Sequence, residues 1–162
     1  MDSARKDPDL PLLHPAFLLG TVFGIGRMPL APGTWASFAA LPVAWVVSGH
    51  FGPVALGALA ILFFPLGLWA SERCARASQK EDPSAIVIDE VAAQWFVLAF
   101  APREALFYGI GFFFFRVADI LKPWPIRAFE KRFPNAFGIM ADDWLAALYA
   151  LAGLFLATFL IG

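Results

Sequence analysis

Apolar residues run in long blocks along this chain, and polar ones gather in a few short breaks between them. The block "AFLLGTVFGIG" (16–26) is too short to span a bilayer and predicts a half-helix entering it. "RMPLAPGTW" (27–35) is punctuated by Pro and Gly and cannot be helical throughout. Apolar helices are predicted over 36–49 and 54–71, with Pro42 and Pro65 as kinks and "HFGP" (50–53) as the turn between them. At ~1.5 Å per residue the second covers about 27 Å, enough for the hydrocarbon core of a membrane. The polar loop "ERCARASQKEDPS" (72–84) leads into "AIVIDEVAAQWFVLAFA" (85–101). A turn at Pro102–Arg103 then precedes a helix over 104–121. A polar, amphipathic stretch covers 122–143, and a last apolar run closes the chain at 144–162.

This pattern predicts an all-α fold: a polytopic membrane helical bundle with about five membrane helices, a short N-terminal half-helix and an interfacial helix. Residues 1–15 read as a flexible cytosolic tail, and 16–162 as a single membrane-embedded domain. Composition agrees. Of 162 residues, 60% are apolar and 15% charged, against about 45–50% and about 25% for soluble domains. So short a chain has too much surface to hide that much apolar material in a soluble core.

Charge narrows the partners. A formal net charge of −1 offers no basic face for a phosphate backbone, which excludes a nucleic-acid partner. Cys74 is the single cysteine, so a disulfide framework or a thiolate metal site is excluded from this chain alone, and it reads as structural. The start, "MDSARKDPDLPLLHP", mixes acids among its bases and lacks the basic region of a cleaved signal peptide. Lys and Arg cluster in two loops: Arg73, Arg76 and Lys80 in the first, and Lys122, Arg127, Lys131 and Arg132 in the second. The opposite connections hold only Arg103. The basic loops are therefore expected on the cytoplasmic side.

That orientation collects the unusual polar residues in one layer. Asp89 and Glu90 fall near the cytoplasmic start of one helix, Asp119 near the cytoplasmic end of the next, and Asp142 and Asp143 at the start of the last. Arg116 and Lys122 flank Asp119 by one turn each way. Charges at membrane depth cost roughly 2.5–3.5 kcal/mol each, so they pair or serve a function. Arg116 with Asp119 could be a structural ion pair, and Asp142–Asp143 an N-cap with an acidic first turn. Five acids together repel unless a cation or protons neutralise them. Oxygen donors without thiolates suit a hard ion such as Mg²⁺, and the five form the candidate ligand and base pool. Arg116, Lys122 and Arg127 could hold a phosphate beside it. Gly33 and Thr34 could present a backbone N–H and a hydroxyl to that phosphate, although Thr34 is equally a candidate N-cap. Trp35, Trp124 and Trp144 read as interfacial anchors.

The stretches "PLAPGTWASFAALP", "IVIDE", "FRVADILKPWPI" and "FGIMADDWLA" resemble those of phosphatidylglycerophosphatase A, in the same order and at similar spacing. The resemblance runs from about residue 20 to about residue 150. It implies a Mg²⁺-dependent phosphatase of the bacterial inner membrane, with its active site facing the cytoplasm. Its substrate would be phosphatidylglycerophosphate and its products phosphatidylglycerol and phosphate. The matching motif positions are Pro32, Gly33, Thr34, Asp89, Glu90, Arg116, Asp119, Lys122, Pro123, Asp142 and Asp143. Met28 stands where the family often has serine, and Ala36 and Ala147 where it often has glycine. A phospho-aspartyl route and direct attack by an activated water both fit such a set. The competing reading is a proton-coupled membrane transporter relaying protons through the acids.

Overall fold

The computed structural model describes residues 10–78 and 85–161. Residues 1–9 of the expected tail, Lys80 of the first basic loop and Gly162 lie outside the described residues. Leu10 packs against the protein interior, and His14 caps the first helix, with Nδ1 accepting from the Ala16 N–H.

Among the described residues there are seven α-helices and no strand: α1 (Pro15–Gly20), α2 (Pro32–Phe51), α3 (Pro53–Ser78), α4 (Ile88–Leu98), α5 (Ala105–Leu121), α6 (Ile126–Arg132) and α7 (Ala136–Ile161). The all-α bundle expected from the periodicity is what the chain forms. Its boundaries differ in four instructive places. The half-helix of 16–26 is a six-residue α1 followed by a 3₁₀ turn, Ile25–Arg27, reached through positive φ at Val22, Phe23 and Gly24. Thr21 holds this corner: its hydroxyl donates to the Phe17 carbonyl and accepts from the Gly24 N–H. Next, α2 begins at Pro32, so Thr34 sits inside the first turn and is not the N-cap. Ala31 holds that place with φ 47°. Proline at the first position suits a helix start, because its missing N–H would have had no partner there.

The third difference is that α3 continues through the basic stretch to Ser78 instead of ending near residue 71. Finally, α7 begins at Ala136, eight residues before the apolar run, because Asn135 Oδ1 accepts from the Gly138 N–H and starts the helix there. Asp142 and Asp143 therefore lie well inside a helix and not at its cap.

α4 is the centre of the bundle. It packs against α2, α3, α5 and α7, and nine of its eleven residues are buried. Alanines on α2 (Ala36, Ala40, Ala44) lie one turn apart and let α4 approach closely. Trp95 then reaches across to donate its indole N–H to the Ala40 carbonyl at 3.0 Å. On the other side, Ala146, Ala147 and Ala150 of α7 face Phe115 and Ala118 of α5.

Of the roughly five spans expected, two helices among the described residues, Pro53–Ala77 within α3 and α7, are long and apolar enough to cross a membrane. At 11 residues, α4 covers only about 16 Å at ~1.5 Å per residue, about half the hydrocarbon core. Only 28% of either span is buried in the bundle. Val54, Phe159 and Leu160 project outward instead. A helix buried in a soluble core would hide such side chains; these face a surrounding that tolerates them.

Two glycines, Gly26 and Gly138, permit backbone-on-backbone contacts. A Cβ at Gly26 would overlap the carbonyl of Ala85. Gly26→Ala is expected to lower the melting temperature in detergent by an amount equivalent to about 1–3 kcal/mol. Gly109→Ala, on an open helical face, is expected to be neutral or to stabilise by up to about 1 kcal/mol. Thermal unfolding of the two variants side by side checks both.

Candidate active site

Helix ends from five elements meet at one end of the bundle and enclose a cavity of about 390 Å³. α4 contributes Asp89 and Glu90 from its first turn, where the helix macrodipole favours negative charge. α7 contributes Asp142 and Asp143, α5 contributes Asp119 and its C-cap Lys122, α2 its first turn at Pro32 and Gly33, and α6 contributes Glu130. All five carboxylates singled out in the sequence line this one cavity, with Gly33 and Lys122 beside them.

Hydrogen bonding divides the acids into two sets. Asp119 Oδ2 is held by Arg116 Nη1 at 2.9 Å, and the same nitrogen donates to Ser37 Oγ at 3.3 Å. Asp142 Oδ2 accepts from Lys122 Nζ at 2.7 Å, and its Oδ1 accepts from the Asp143 N–H at 3.0 Å. These two acids are compensated. Asp89, Glu90 and Asp143 form no ion pair of this kind among the described residues. Each offers an oxygen within 4.8 Å of the others, while Asp89 Oδ1, Glu90 Oε2 and Asp143 Oδ2 are buried without a hydrogen-bond partner. Buried, uncompensated anions of this kind cost several kcal/mol each. The residues therefore fit a cation. The donors are all oxygens, the set a hard metal ion takes.

Gly33 is required for this arrangement, since a Cβ there would collide with Glu90 Oε1. The carboxylate can thus lie directly against the N-terminal turn of α2.

Lys122 is the structural joint of the site. It ends α5 in the left-handed region (φ 44°, ψ 63°), donates its N–H to the Ala118 carbonyl, and sends its ammonium to both Asp142 and Glu130 at 2.7 Å. Non-glycine residues adopt that backbone rarely and at some cost, so it persists where surroundings enforce it. Burial alone would lower the lysine pKa. The hydrogen bonds to Asp142 and Glu130, with the attraction of both charges, outweigh that and hold it above the ordinary lysine value. The ammonium is charged throughout the physiological range.

Other sequence expectations fall outside the cavity. Arg116 stands behind Asp119 rather than on the cavity wall, and Thr34 does not line it. Arg127 is exposed, donates to the Leu121 carbonyl, and shares a separate surface with Trp124 and Lys131. Trp124 is 81% exposed, as an anchor would be, whereas Trp144 stacks 4.7 Å from Phe96 and is a packing residue. Two groups were missed in the sequence. Glu130 reaches the site because the Pro123–Pro125 turn folds α6 back beneath Lys122. Ser37 is one turn beyond Gly33 on α2, a spacing that could have flagged it.

An acid-lined, metal-competent cavity at one end of an apolar all-helical bundle is the frame of a helical enzyme with two membrane-length helices. The chain belongs to the phosphatidylglycerophosphatase A family, whose model matches residues 18–158, and it is a phosphatase. It is 37% identical over 147 residues to "Phosphatidylglycerophosphatase A" of Haemophilus influenzae, covering 90% of each chain. It is 33% identical over 141 residues to the protein of the same name from Escherichia coli, covering 86% of this chain and 81% of that one. A Bacteroides thetaiotaomicron protein with the provisional name phosphatidylinositol-3-phosphatase is 34% identical over 160 residues, 92% of this chain and 99% of that one. No solved structure matches the chain.

Lys122→Met leaves Asp142, whose side chain is 8% exposed, without its cation. A loss of about 2–4 kcal/mol is expected, chiefly from Asp142, because Glu130 at 45% exposure keeps its water. Adding Asp142→Asn to that variant should recover part of the loss. Melting temperatures of the two single variants and the double variant close the cycle.

Proposed function

We propose that this protein hydrolyses phosphatidylglycerophosphate to phosphatidylglycerol and inorganic phosphate, using Mg²⁺ held by Asp89, Glu90 and Asp143. The observation that carries the reading is that Asp89, Glu90 and Asp143 each offer a carboxylate oxygen within 4.8 Å of the others and each also bury an oxygen with no hydrogen-bond partner. The names and organisms of the two relatives at 33–37% identity supply the substrate. When bound, Mg²⁺ would polarise the phosphoryl group and acidify a water.

The chain's own groups do the rest. Lys122 has three N–H donors and commits two of them, leaving one for a phosphoryl oxygen at the cavity edge. The amides of Gly33 and Thr34 precede the first hydrogen bond of α2, from Trp35 N–H to the Ala31 carbonyl. Of the two, Gly33 lines the cavity, so its amide is the donor for an anion at the positive end of a 20-residue helix. Arg116 acts at one remove, by fixing Asp119 and tying α5 to Ser37 of α2. Water attacks phosphorus in line with the glycerol oxygen, and a cavity carboxylate takes the proton. The P–O bond breaks and the departing oxygen is protonated, giving the lipid alcohol and phosphate.

The cavity-bearing end also carries most of the chain's Lys and Arg, which favours an inner-membrane enzyme with its site on the cytoplasmic side. The transporter reading finds no support, since the five acids share one cavity. The Bacteroides relative, equally similar, favours one second reading: a monoester on an inositol headgroup.

Purified protein in detergent is expected to release phosphate from phosphatidylglycerophosphate with Mg²⁺ and to stop in excess EDTA. Asp143→Asn should lower kcat at least 100-fold. In EDTA the same variant should melt at or above the wild-type temperature, because one of three repelling charges is gone. Turnover unaffected by EDTA in protein verified as metal-free would overturn the metal assignment. Faster turnover of phosphatidylinositol 3-phosphate would favour the inositol reading.

A further inference from the structure

Next to the acidic cavity lies a second one, of about 420 Å³ and almost wholly apolar. That volume is within the ~300–1,000 Å³ typical of ligand sites. Its floor is buried: Ala36 and Ala40 of α2, with Ile88, Val91 and Trp95 of α4. Its rim is open. Phe23 is 79% and Val43 43% exposed, so the groove communicates with the outer surface of the bundle. The floor's one polar side-chain group, the Trp95 indole N–H, already donates to the Ala40 carbonyl. What enters can therefore offer no hydrogen bond and needs none.

The same two helices build both cavities. On α2, Gly33 lines the acidic one and Ala36 the apolar one, one turn further on. On α4, Asp89 and Glu90 face the acids while Ile88 and Val91 line the groove. From Ala36 to Val43 the groove follows α2 for about 10 Å at ~1.5 Å per residue. It thus leads from the level of the phosphate site along the wall of the bundle toward its apolar surface.

Taking the lipid phosphatase reading above as its basis, we propose that this groove binds an acyl chain of the lipid substrate. It would hold the glycerol backbone so that the phosphate rests in the acidic cavity. The small side chains Ala36, Ala39 and Ala40 keep it open, and bulk added at its rim would close it.

The test compares phosphate release from phosphatidylglycerophosphate carrying two oleoyl chains with release from the dihexanoyl form. Wild type is set against Val43→Trp and, as a second rim variant, Ala39→Leu. Both variants should cut kcat/KM for the dioleoyl substrate at least fivefold, mainly through KM, while the dihexanoyl value changes less than twofold. An unchanged long-to-short ratio in both folded variants would overturn the proposal, leaving the groove to bulk lipid. It would equally be overturned if the variants altered only the oligomeric state by light scattering, which would assign the groove to a second copy of this chain. If wild type turned over neither substrate, the phosphatase reading itself would have failed, a result distinct from both.

Discussion

Negative charge crowded at the end of an apolar bundle is the constraint that the rest of this structure answers. Asp89, Glu90 and Asp143 face one another with oxygens left over, and the apolar residues packed behind them offer no hydrogen bond in return. The remedies are local and different. The first turn of α4 gives its two acids the positive end of a helix dipole. Asp119 and Asp142 each receive a cation, from Arg116 and Lys122. The remaining charge is left uncancelled in the cavity, where a cation can meet it. A buried ion pair adds little stability over an apolar pair, so these pairs are better understood as fixing positions.

Position depends on how closely the helices pack. α4 is too short to be an independent element of the bundle, but α2, α3, α5 and α7 all touch it. Alanine on the faces of α2 and α7 brings the backbones together, and van der Waals contact replaces the hydrophobic driving force that is missing in lipid. On α2 the outward face carries large apolar side chains such as Phe38 and Val46, whereas the inward one is Gly, Ala and Ser. This reverses the order in a soluble bundle and follows from the exchange of solvent.

The existence of the helices was legible because each apolar block is bounded by Pro, Gly or charge. The five acids could be grouped because alternation of the chain direction brings every one of them to the same end. Boundaries were less legible. Asp142 and Asp143 interrupt the apolar run between Met140 and Trp144, which sets the expected helix start at 144, whereas Asn135 starts the helix eight residues earlier with one side-chain hydrogen bond. The shortness of α4 was hidden because apolar residues continue past Leu98 into a turn. Arg127 lies five residues from Lys122 and seemed able to join it. The turn at Pro123–Pro125 sends its neighbour Glu130 to the site and leaves Arg127 outside. Pairing within the acids, two compensated and three not, depends on side-chain geometry that spacing does not encode.

The hydrogen bond from Val87 N–H to the Gly20 carbonyl reaches across 67 positions, from 20 to 87, just ahead of the acid-bearing turn. Contacts so distant in sequence demand loop closure before they return any stabilisation. The α2–α3 pair, joined by a single turn at Gly52, can assemble from neighbours alone. The acid-bearing turn of α4 is instead held by a contact from far along the sequence, so the mutual repulsion of its carboxylates is borne by long-range packing.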